Sequence, residues 1–350
     1  MNAPPHDPLL HEIDLPLKQV LYPLGFPLEI ATNSPDVLRA AARAWSAFPN
    51  LFTQPPIHLR VIVTGSGDET ATAEPPVYRG QAHLLTIAAG VRNFAVADLQ
   101  QGFSFACITP PIVADEEYLR HFFLEALVYS TLTNLHLTSV HAACVSLAER
   151  AVLLCGASGA GKSTLAYECA RRGFAYLADD GSSFLRRSGG RTVIGKPMRM
   201  RLRPDASEIF PELRPLLPSL AVNGKPAVDV DMARLPGIET SFTARVEAVV
   251  FLNRAPEFDA QLLTIPKSEA RARLASEIPV LERRSWQEQI ASLDELLEAR
   301  AFELRYAEAA QAATALEQFL MKEHRDETAV LAVGSDESDS GASGIEHAAR

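Results

Sequence analysis

The residues whose types and spacing most clearly indicate chemistry lie in GASGAGKST, at positions 156–164. This segment matches the pattern G-x-x-x-x-G-K-[ST] at every position, between an apolar run typical of a strand and a helical pattern. Small residues let the backbone curl so that its N–H groups point inward at a phosphate, and the start of the next helix adds its dipole. The segment is therefore predicted to hold the phosphates of a nucleotide, through Gly156, Ala157, Ser158, Gly159, Ala160, Gly161, Lys162, Ser163 and Thr164.

Two side chains of this segment have distinct expected roles. The ammonium group of Lys162 has the length to reach the β- and γ-phosphate oxygens, and the hydroxyl of Ser163 is placed to bind Mg²⁺. The predicted ligands are therefore ATP and Mg²⁺.

An acidic pair, Asp179-Asp180, follows Lys162 after 17 residues, at the end of the next predicted strand, FAYLA. Because side chains alternate across a strand, one carboxylate is expected to face the phosphates while the other turns elsewhere. That carboxylate is a candidate metal ligand or a candidate general base for an attacking hydroxyl. A turn before Gly181 is the structural alternative, since Asp-Asp-Gly is also a common turn sequence.

His141 is the third candidate catalytic residue. It stands in TSVHAACVSL (138–147), which predicts one strand forming a hairpin with the strand that leads into the glycine-rich segment. A single histidine on a strand is more often a packed residue than a catalyst, so its role depends on its neighbours.

The sequence HAACVSLAERAVLLCGASGAGKSTLAYECARRGFAYLADD resembles the catalytic core of the bacterial HPr kinase/phosphorylase family. The likeness is strong over residues 138–182 and looser to about 322. It implies the fold shared with phosphoenolpyruvate carboxykinases and self-association into oligomers. It also implies that Asp179 is the base toward a substrate serine hydroxyl, that His141 lies beside it, and that Asp180 supports the charge and metal arrangement.

Two parts of the chain do not resemble that family. A second family signature, which begins Glu, apolar, Arg, Gly, is replaced here by MRMRLRPDASEIFPEL, and the first 130 residues do not resemble the family's N-terminal domain. The reverse phosphorylase reaction is therefore not predicted. In the replacement segment Arg199, Arg201 and Arg203 would share one face of a strand, where they could bind a phosphate or an acidic substrate, or simply face solvent.

Composition narrows the class of partner. The 350 residues carry a formal net charge of −10, which disfavours nucleic acid and anionic membranes as partners. The four cysteines have no metal-binding spacing, and no signal peptide or membrane span is evident, so we expect a reducing compartment and a cytoplasmic location.

The pattern of elements predicts an α/β fold with a smaller N-terminal α+β domain, and the resemblance implies that the rest is a P-loop kinase core of the HPr kinase/phosphoenolpyruvate carboxykinase type. The expected boundaries are 1–135 for the N-terminal domain, 136–324 for the catalytic domain, and 325–350 for a disordered, acidic, Ser-rich tail.

The leading hypothesis is an ATP-dependent kinase that transfers the γ-phosphoryl group to a hydroxyl, with a serine of a protein or peptide as the acceptor. A kinase acting on a small-molecule hydroxyl and a non-catalytic ATP sensor are the alternatives.

Overall fold

Short alternating strands in the first third of the chain, and more continuously apolar strands in the rest, form separate sheets in the computed structural model. The structure describes residues 13–65, 76–186, 191–220 and 224–336, the last range with side chains up to 322. The chain is a mixed α/β protein with a seven-stranded sheet, a ten-stranded sheet and a three-stranded sheet.

The seven-stranded sheet has the order β1-β2-β3-β7-β6-β5-β4. Its strands are β1 (Leu17–Leu21), β2 (Leu28–Thr32), β3 (Ile57–Val63), β4 (Val77–Gln81), β5 (Leu84–Ala89), β6 (Asn93–Asp98) and β7 (Phe103–Ile108). Helix α1 (Pro35–Trp45) follows β2, with Pro35 at its first position and Ser34 as N-cap. Its apolar residues at helical spacing, including Trp45, are buried in the core of this sheet.

A helical stretch leads from the first sheet to the second. It comprises α2 (Pro110–Ala114), α3 (Glu116–Tyr118), a π-helical turn region (Leu119–Glu125) and α4 (Ala126–Leu135). In the π-helical region the backbone hydrogen bonds run from i to i+5, so each turn contains more residues than a turn of α-helix. Since α4 ends at Leu135 and the next strand begins at Leu137, the change of sheet falls at the predicted boundary. The division into domains itself stays a prediction.

The ten-stranded sheet has the order β17-β11-β9-β10-β18-β13-β12-β8, and β19 and β20 join it through β18. Its strands are β8 (Leu137–Val140), β9 (Ala142–Leu147), β10 (Arg150–Cys155), β11 (Ala175–Ala178), β12 (Ser182–Leu185), β13 (Thr192–Ile194), β17 (Glu239–Thr240), β18 (Thr243–Arg254), β19 (Gln261–Thr264) and β20 (Arg300–Tyr306). The three-stranded sheet pairs β14 (Arg199–Leu202) and β15 (Ser219–Leu220) with β16 (Pro226–Asp231).

The predicted single strand 138–147 is two strands in the structure. His141 separates β8, which pairs with β12, from β9, which pairs with β10 and β11. Because β8 ends the strand order while β9 lies inside it, the sheet must curl so that one residue can link the two positions. His141 is therefore a bend residue at a sheet edge, and the prediction that it lies within a strand is wrong.

Helices cover both faces of the central strands. Apolar residues of α5 (Lys162–Arg171) and α9 (Ala309–Asp336) pack on one face of β9 and β10. Those of α7 (Lys267–Ala275) and α8 (Arg283–Leu296) pack on the other face, and a short α6 (Ala206–Ile209) belongs to the first layer. The two-sided cover explains why successive residues of β9 and β10 are buried, rather than every second one.

The ends of the chain and its cysteines complete the description. Helix α9 reaches Asp336, so positions 325–336 of the predicted disordered tail are helical, and positions 337–350 lie outside the described residues. All four cysteines are free, and three of them are buried. Among the helices of the described ranges, none has the length and apolar character needed to span a membrane.

One close backbone contact ties the end of β13 to β11. A Cβ atom at Gly195 would lie 2.2 Å from the carbonyl oxygen of Leu177, whereas a Cβ at Gly181 would meet nothing within 4 Å. We expect Gly195→Ala to lower the free energy of unfolding by about 1–3 kcal/mol, because the backbone must move to relieve the overlap. Urea denaturation of this variant beside Gly181→Ala tests the prediction, and equal effects of the two changes would contradict it.

Candidate active site

The strand directions bring three predicted site segments to one edge of the ten-stranded sheet. β10 and β11 both run antiparallel to β9, which lies between them, so β10 and β11 point the same way. Their carboxyl ends carry the glycine-rich loop (residues 156–164) and the Asp179-Asp180 pair. His141 directly precedes β9 at this same edge. The sequence predicts β11 as the next strand along the chain but gives no sign that β9 is inserted between β10 and β11.

The glycine-rich loop makes a tight turn into α5. Gly159 and Gly161 have φ angles of 88° and 95°, in the left-handed region that favours glycine. Gly161 is the N-cap of α5, so Lys162, Ser163 and Thr164 form the first turn of that helix. The turn presents unpaired backbone N–H groups at the helix start, an arrangement able to bind an anion.

Tyr306, at the end of β20, supports this loop and is not indicated by the sequence pattern. Its hydroxyl donates to the carbonyl of Ala160 at 3.2 Å. A Cβ atom at Gly161 would lie 2.8 Å from the hydroxyl oxygen of Tyr306. Burial raises the pKa of Tyr306 to about 12, so the hydroxyl remains a donor at neutral pH. Its partner is far away in sequence, which explains why no local signal reveals it.

Lys162 spans the loop and reaches His141. Its ammonium group donates to the carbonyl oxygens of Gly156 at 2.7 Å and Ala157 at 3.3 Å, and lies 2.8 Å from Nε2 of His141. Burial lowers the pKa of Lys162, and the nearby Asp180 opposes that shift. A charged lysine can only donate, so Nε2 of His141 accepts and the imidazole proton sits on Nδ1.

The same histidine connects the lysine to the acidic pair. Nδ1 of His141 lies 3.3 Å from Oδ1 of Asp180, whose side chain is 78% exposed. Lys162, His141 and Asp180 thus form a continuous polar chain from the loop to the end of β11. Asp180 remains accessible to a metal ion or a substrate.

Asp179 faces a different direction from Asp180. Its Oδ2 accepts a hydrogen bond from the backbone N–H of Arg201 at 2.7 Å. Burial raises the pKa of Asp179 to about 6, and the charge of Asp180 adds to this rise, while the Arg201 hydrogen bond and Lys196 act against it. A carboxyl group with a pKa near 6 is ionised at neutral pH yet retains affinity for a proton, as a general base requires.

The structure separates the three arginines of the predicted stripe. Arg199 and Arg201 point outward from β14 while the intervening Met200 is buried, as the alternation predicts. Arg201 forms salt bridges with Asp229 at 2.9 Å and Glu117 at 3.3 Å. Arg203 follows the strand and lies over the loop, with Nη2 3.2 Å from a Cβ position built on Gly159. Of the three guanidinium groups, that of Arg203 is therefore the one beside the glycine-rich loop.

Lys196 is a further charged residue near the acidic pair. Its ammonium group lies 4.2 Å from the ring centroid of Tyr129 in α4. Desolvation lowers the pKa of Lys196, and Glu125, Asp179 and Asp180 oppose this shift. Together with the Glu117–Arg201 salt bridge, this contact brings the helical stretch of the N-terminal third to the rim of the site. A lone lysine between two short strands carries no sequence signal for such a position.

Within the described ranges no three His, Cys, Asp or Glu side chains converge as a metal cluster. Mg²⁺ typically takes one or two protein oxygens, substrate phosphates and water. Ser163 in the first turn of α5 and the exposed carboxylate of Asp180 could supply oxygens of that kind.

Comparisons with known proteins give little further information. No protein-family model and no curated protein sequence matches the chain. Chains of solved structures do match, 52 in number, and among them is the Hpr(Ser) kinase/phosphatase from Coxiella burnetii. That match has 14% identity and a TM-score of 0.29, and covers 57% of this chain and 98% of the other. Such a TM-score does not establish a shared fold, so the function must be inferred from this chain's own residues.

The raised pKa of Asp179 makes its ionisation costly for the folded state. The pKa is about 6 in the folded chain against 3.8 for an unperturbed aspartate, so stability falls as the pH rises through this interval. We expect Asp179→Asn to increase the free energy of unfolding at pH 8 by about 1–3 kcal/mol.

The gain should shrink as the pH is lowered toward about 4, where Asp179 is protonated in both states. Urea denaturation at both pH values measures the difference, with Asp294→Asn as the matched control at an exposed carboxylate. A gain in the free energy of unfolding that is the same at both pH values would contradict the raised pKa of Asp179.

Proposed function

We propose that the protein is an ATP-dependent kinase that transfers the γ-phosphoryl group of ATP to a hydroxyl, with a serine of a protein or peptide as acceptor. The observation that carries the proposal is the position of Asp179 at the same sheet edge as the glycine-rich loop. Its pKa of about 6 and the polar chain from Lys162 through His141 to Asp180 support it. Phosphoryl transfer needs positioning and charge neutralisation more than covalent catalysis by the protein.

The glycine-rich loop is the proposed phosphate site. Its backbone N–H groups and the N-terminus of α5 bind the phosphates, and Lys162 exchanges its contacts with Gly156 and Ala157 for phosphate oxygens. Arg203, which already lies against the loop, adds positive charge at the outer side of the phosphates. Ser163 and Asp180 would hold Mg²⁺, which would supply positive charge to the phosphates.

Asp179 is the proposed general base. The acceptor oxygen attacks the γ-phosphorus, the bond from that phosphorus to the β,γ-bridging oxygen breaks, and ADP leaves. The hydroxyl proton moves to a carboxylate oxygen of Asp179. The Arg201 N–H donates to Oδ2 of this carboxylate and so fixes its orientation. His141 contacts both Lys162 and Asp180 and holds these two side chains in position beside Asp179.

Replacement of the base tests the proposal. In a reaction with γ-labelled ATP and a cell lysate, the full-length protein should transfer label to a protein, and Asp179→Asn should lower this transfer by at least about a hundredfold. ATP binding, measured by calorimetry, should be retained, because Asp179 does not contact the loop. Asp294→Asn, an exposed change in a surface salt bridge, is the control.

Each outcome of this experiment has a definite meaning. Normal transfer by Asp179→Asn would overturn the role of Asp179. Label in a small molecule would replace the protein acceptor with a metabolite. Retained ATP binding with no labelled product from the unmodified chain would refute the kinase and favour a nucleotide sensor.

The pH dependence of the transfer rate gives a second test. Asp179 must be ionised to accept the proton, so the rate should fall about tenfold per pH unit below about 6, the pKa of its carboxyl group. Initial rates of label transfer between pH 5 and 8 measure this limb. A rate that does not change between pH 5 and 7 would contradict an Asp179 base.

A further inference from the structure

A small cavity adjoins the glycine-rich loop. It lies at the start of α5, the end of β20 and the start of α9. Its volume is about 110 Å³, and it is lined by Gly161, Thr164, Ile209, Arg254, Tyr306 and Glu308, among others. Gly161 and Thr164 belong to the loop and the first turn of α5, so the cavity begins where the proposed phosphate site ends. A nucleotide bound by the loop would extend from the phosphates into this space.

The cavity's size limits what part of a ligand it can enclose. Pockets that bury a whole drug-sized ligand have volumes of about 300–1,000 Å³. A space of about 110 Å³ therefore accommodates a single ring, such as a sugar, and not a complete nucleoside. The ring next to the α-phosphate in a nucleoside triphosphate is the ribose.

The polar groups of the cavity match a sugar with free hydroxyls. No described residue forms a salt bridge or side-chain hydrogen bond with the Glu308 carboxylate, and an ionised carboxylate can only accept hydrogen bonds. Arg254 also lines the cavity, held by the hydrogen bond from its Nε to the carbonyl of Ala307 at 2.9 Å. The positive charge of Arg254 offsets the negative charge of Glu308, which would repel nearby phosphates. A pair of adjacent hydroxyls is the donor set that a carboxylate binds well.

An apolar side chain stands at the opening of the cavity. Ile209 is 51% exposed, although it is a large hydrophobic residue. The flat face of a base attached to the enclosed sugar would cover this surface, while the polar edges of the base stay in solvent.

We propose that this cavity is a ribose subsite, in which the Glu308 carboxylate accepts hydrogen bonds from the 2′- and 3′-hydroxyls of a ribonucleoside triphosphate. The inference rests on the proposed binding of nucleotide phosphates by the loop. It adds that the protein selects ribonucleotides over deoxyribonucleotides and distinguishes one purine base from another only weakly, because the base is bound through its face.

Calorimetric titration of the full chain with ATP, 2′,3′-dideoxy-ATP and inorganic tripolyphosphate, each with Mg²⁺, tests the subsite. The unmodified chain should bind ATP at least about tenfold more tightly than dideoxy-ATP, since hydrogen bonds to a charged group are lost. Glu308→Ala should abolish this ratio without changing the affinity for tripolyphosphate. Gln311→Ala, an exposed change one turn further along α9, should preserve the ratio.

The three ligands separate the possible failures. If tripolyphosphate binds but the unmodified chain does not discriminate ATP from dideoxy-ATP, or if Glu308→Ala keeps the discrimination, the ribose subsite is refuted and the phosphate site stands. If neither ATP nor tripolyphosphate binds, the proposed function of the loop is refuted, and the subsite with it.

Discussion

The contact between the ammonium group of Lys162 and Nε2 of His141 is the interaction on which the arrangement of the site depends. It joins the loop after β10 to the bend before β9, and through Nδ1 of the histidine it extends to Asp180 at the end of β11. Three neighbouring strands are thereby linked at their ends by side chains as well as by the backbone ladder. Because a charged lysine cannot accept a hydrogen bond, the contact also selects the tautomer of His141.

That linkage depends in turn on the antiparallel strand β9. A parallel neighbour would place its amino end, and a residue preceding it, at the opposite edge of the sheet. Since β9 runs against β10 and β11, its first residue meets their carboxyl ends. The single residue between β8 and β9 therefore stands in the site, and its type has chemical consequences as well as structural ones.

Local sequence signals predict the parts of the structure that are determined locally. The strand, glycine-rich loop and helix from β10 to α5 follow from small residues and apolar periodicity, and the Asp pair is placed at a strand end by the same reasoning. The bend at His141 was not predictable, because it depends on the pairing of β8 with β12, more than 40 residues later in the chain. Tyr306 and Lys196 escape prediction for the same reason, since their partners lie far from them in sequence.

The arginine segment shows where a face prediction is informative and where it is not. Alternation correctly assigns Arg199 and Arg201 to one side of β14, because the buried Met200 fixes the other side. Alternation cannot tell which guanidinium group forms salt bridges, because the partners, Asp229 and Glu117, belong to other elements. Nor can it show that the part of Arg201 nearest the site is its backbone N–H, which binds Asp179 regardless of the side chain.

The pairing of β10, β18 and β20 has a consequence for the synthesis of the chain. β10 ends at Cys155, and its parallel neighbour β18 ends at Arg254. β20 pairs with β18, carries Tyr306 and is the last strand of this sheet along the described chain. Contacts of such large sequence separation slow folding, because long loops must close before they form. On the ribosome the glycine-rich loop leaves the exit tunnel about 150 residues before the tyrosine that supports it, so the nascent site remains incomplete until β20 has emerged.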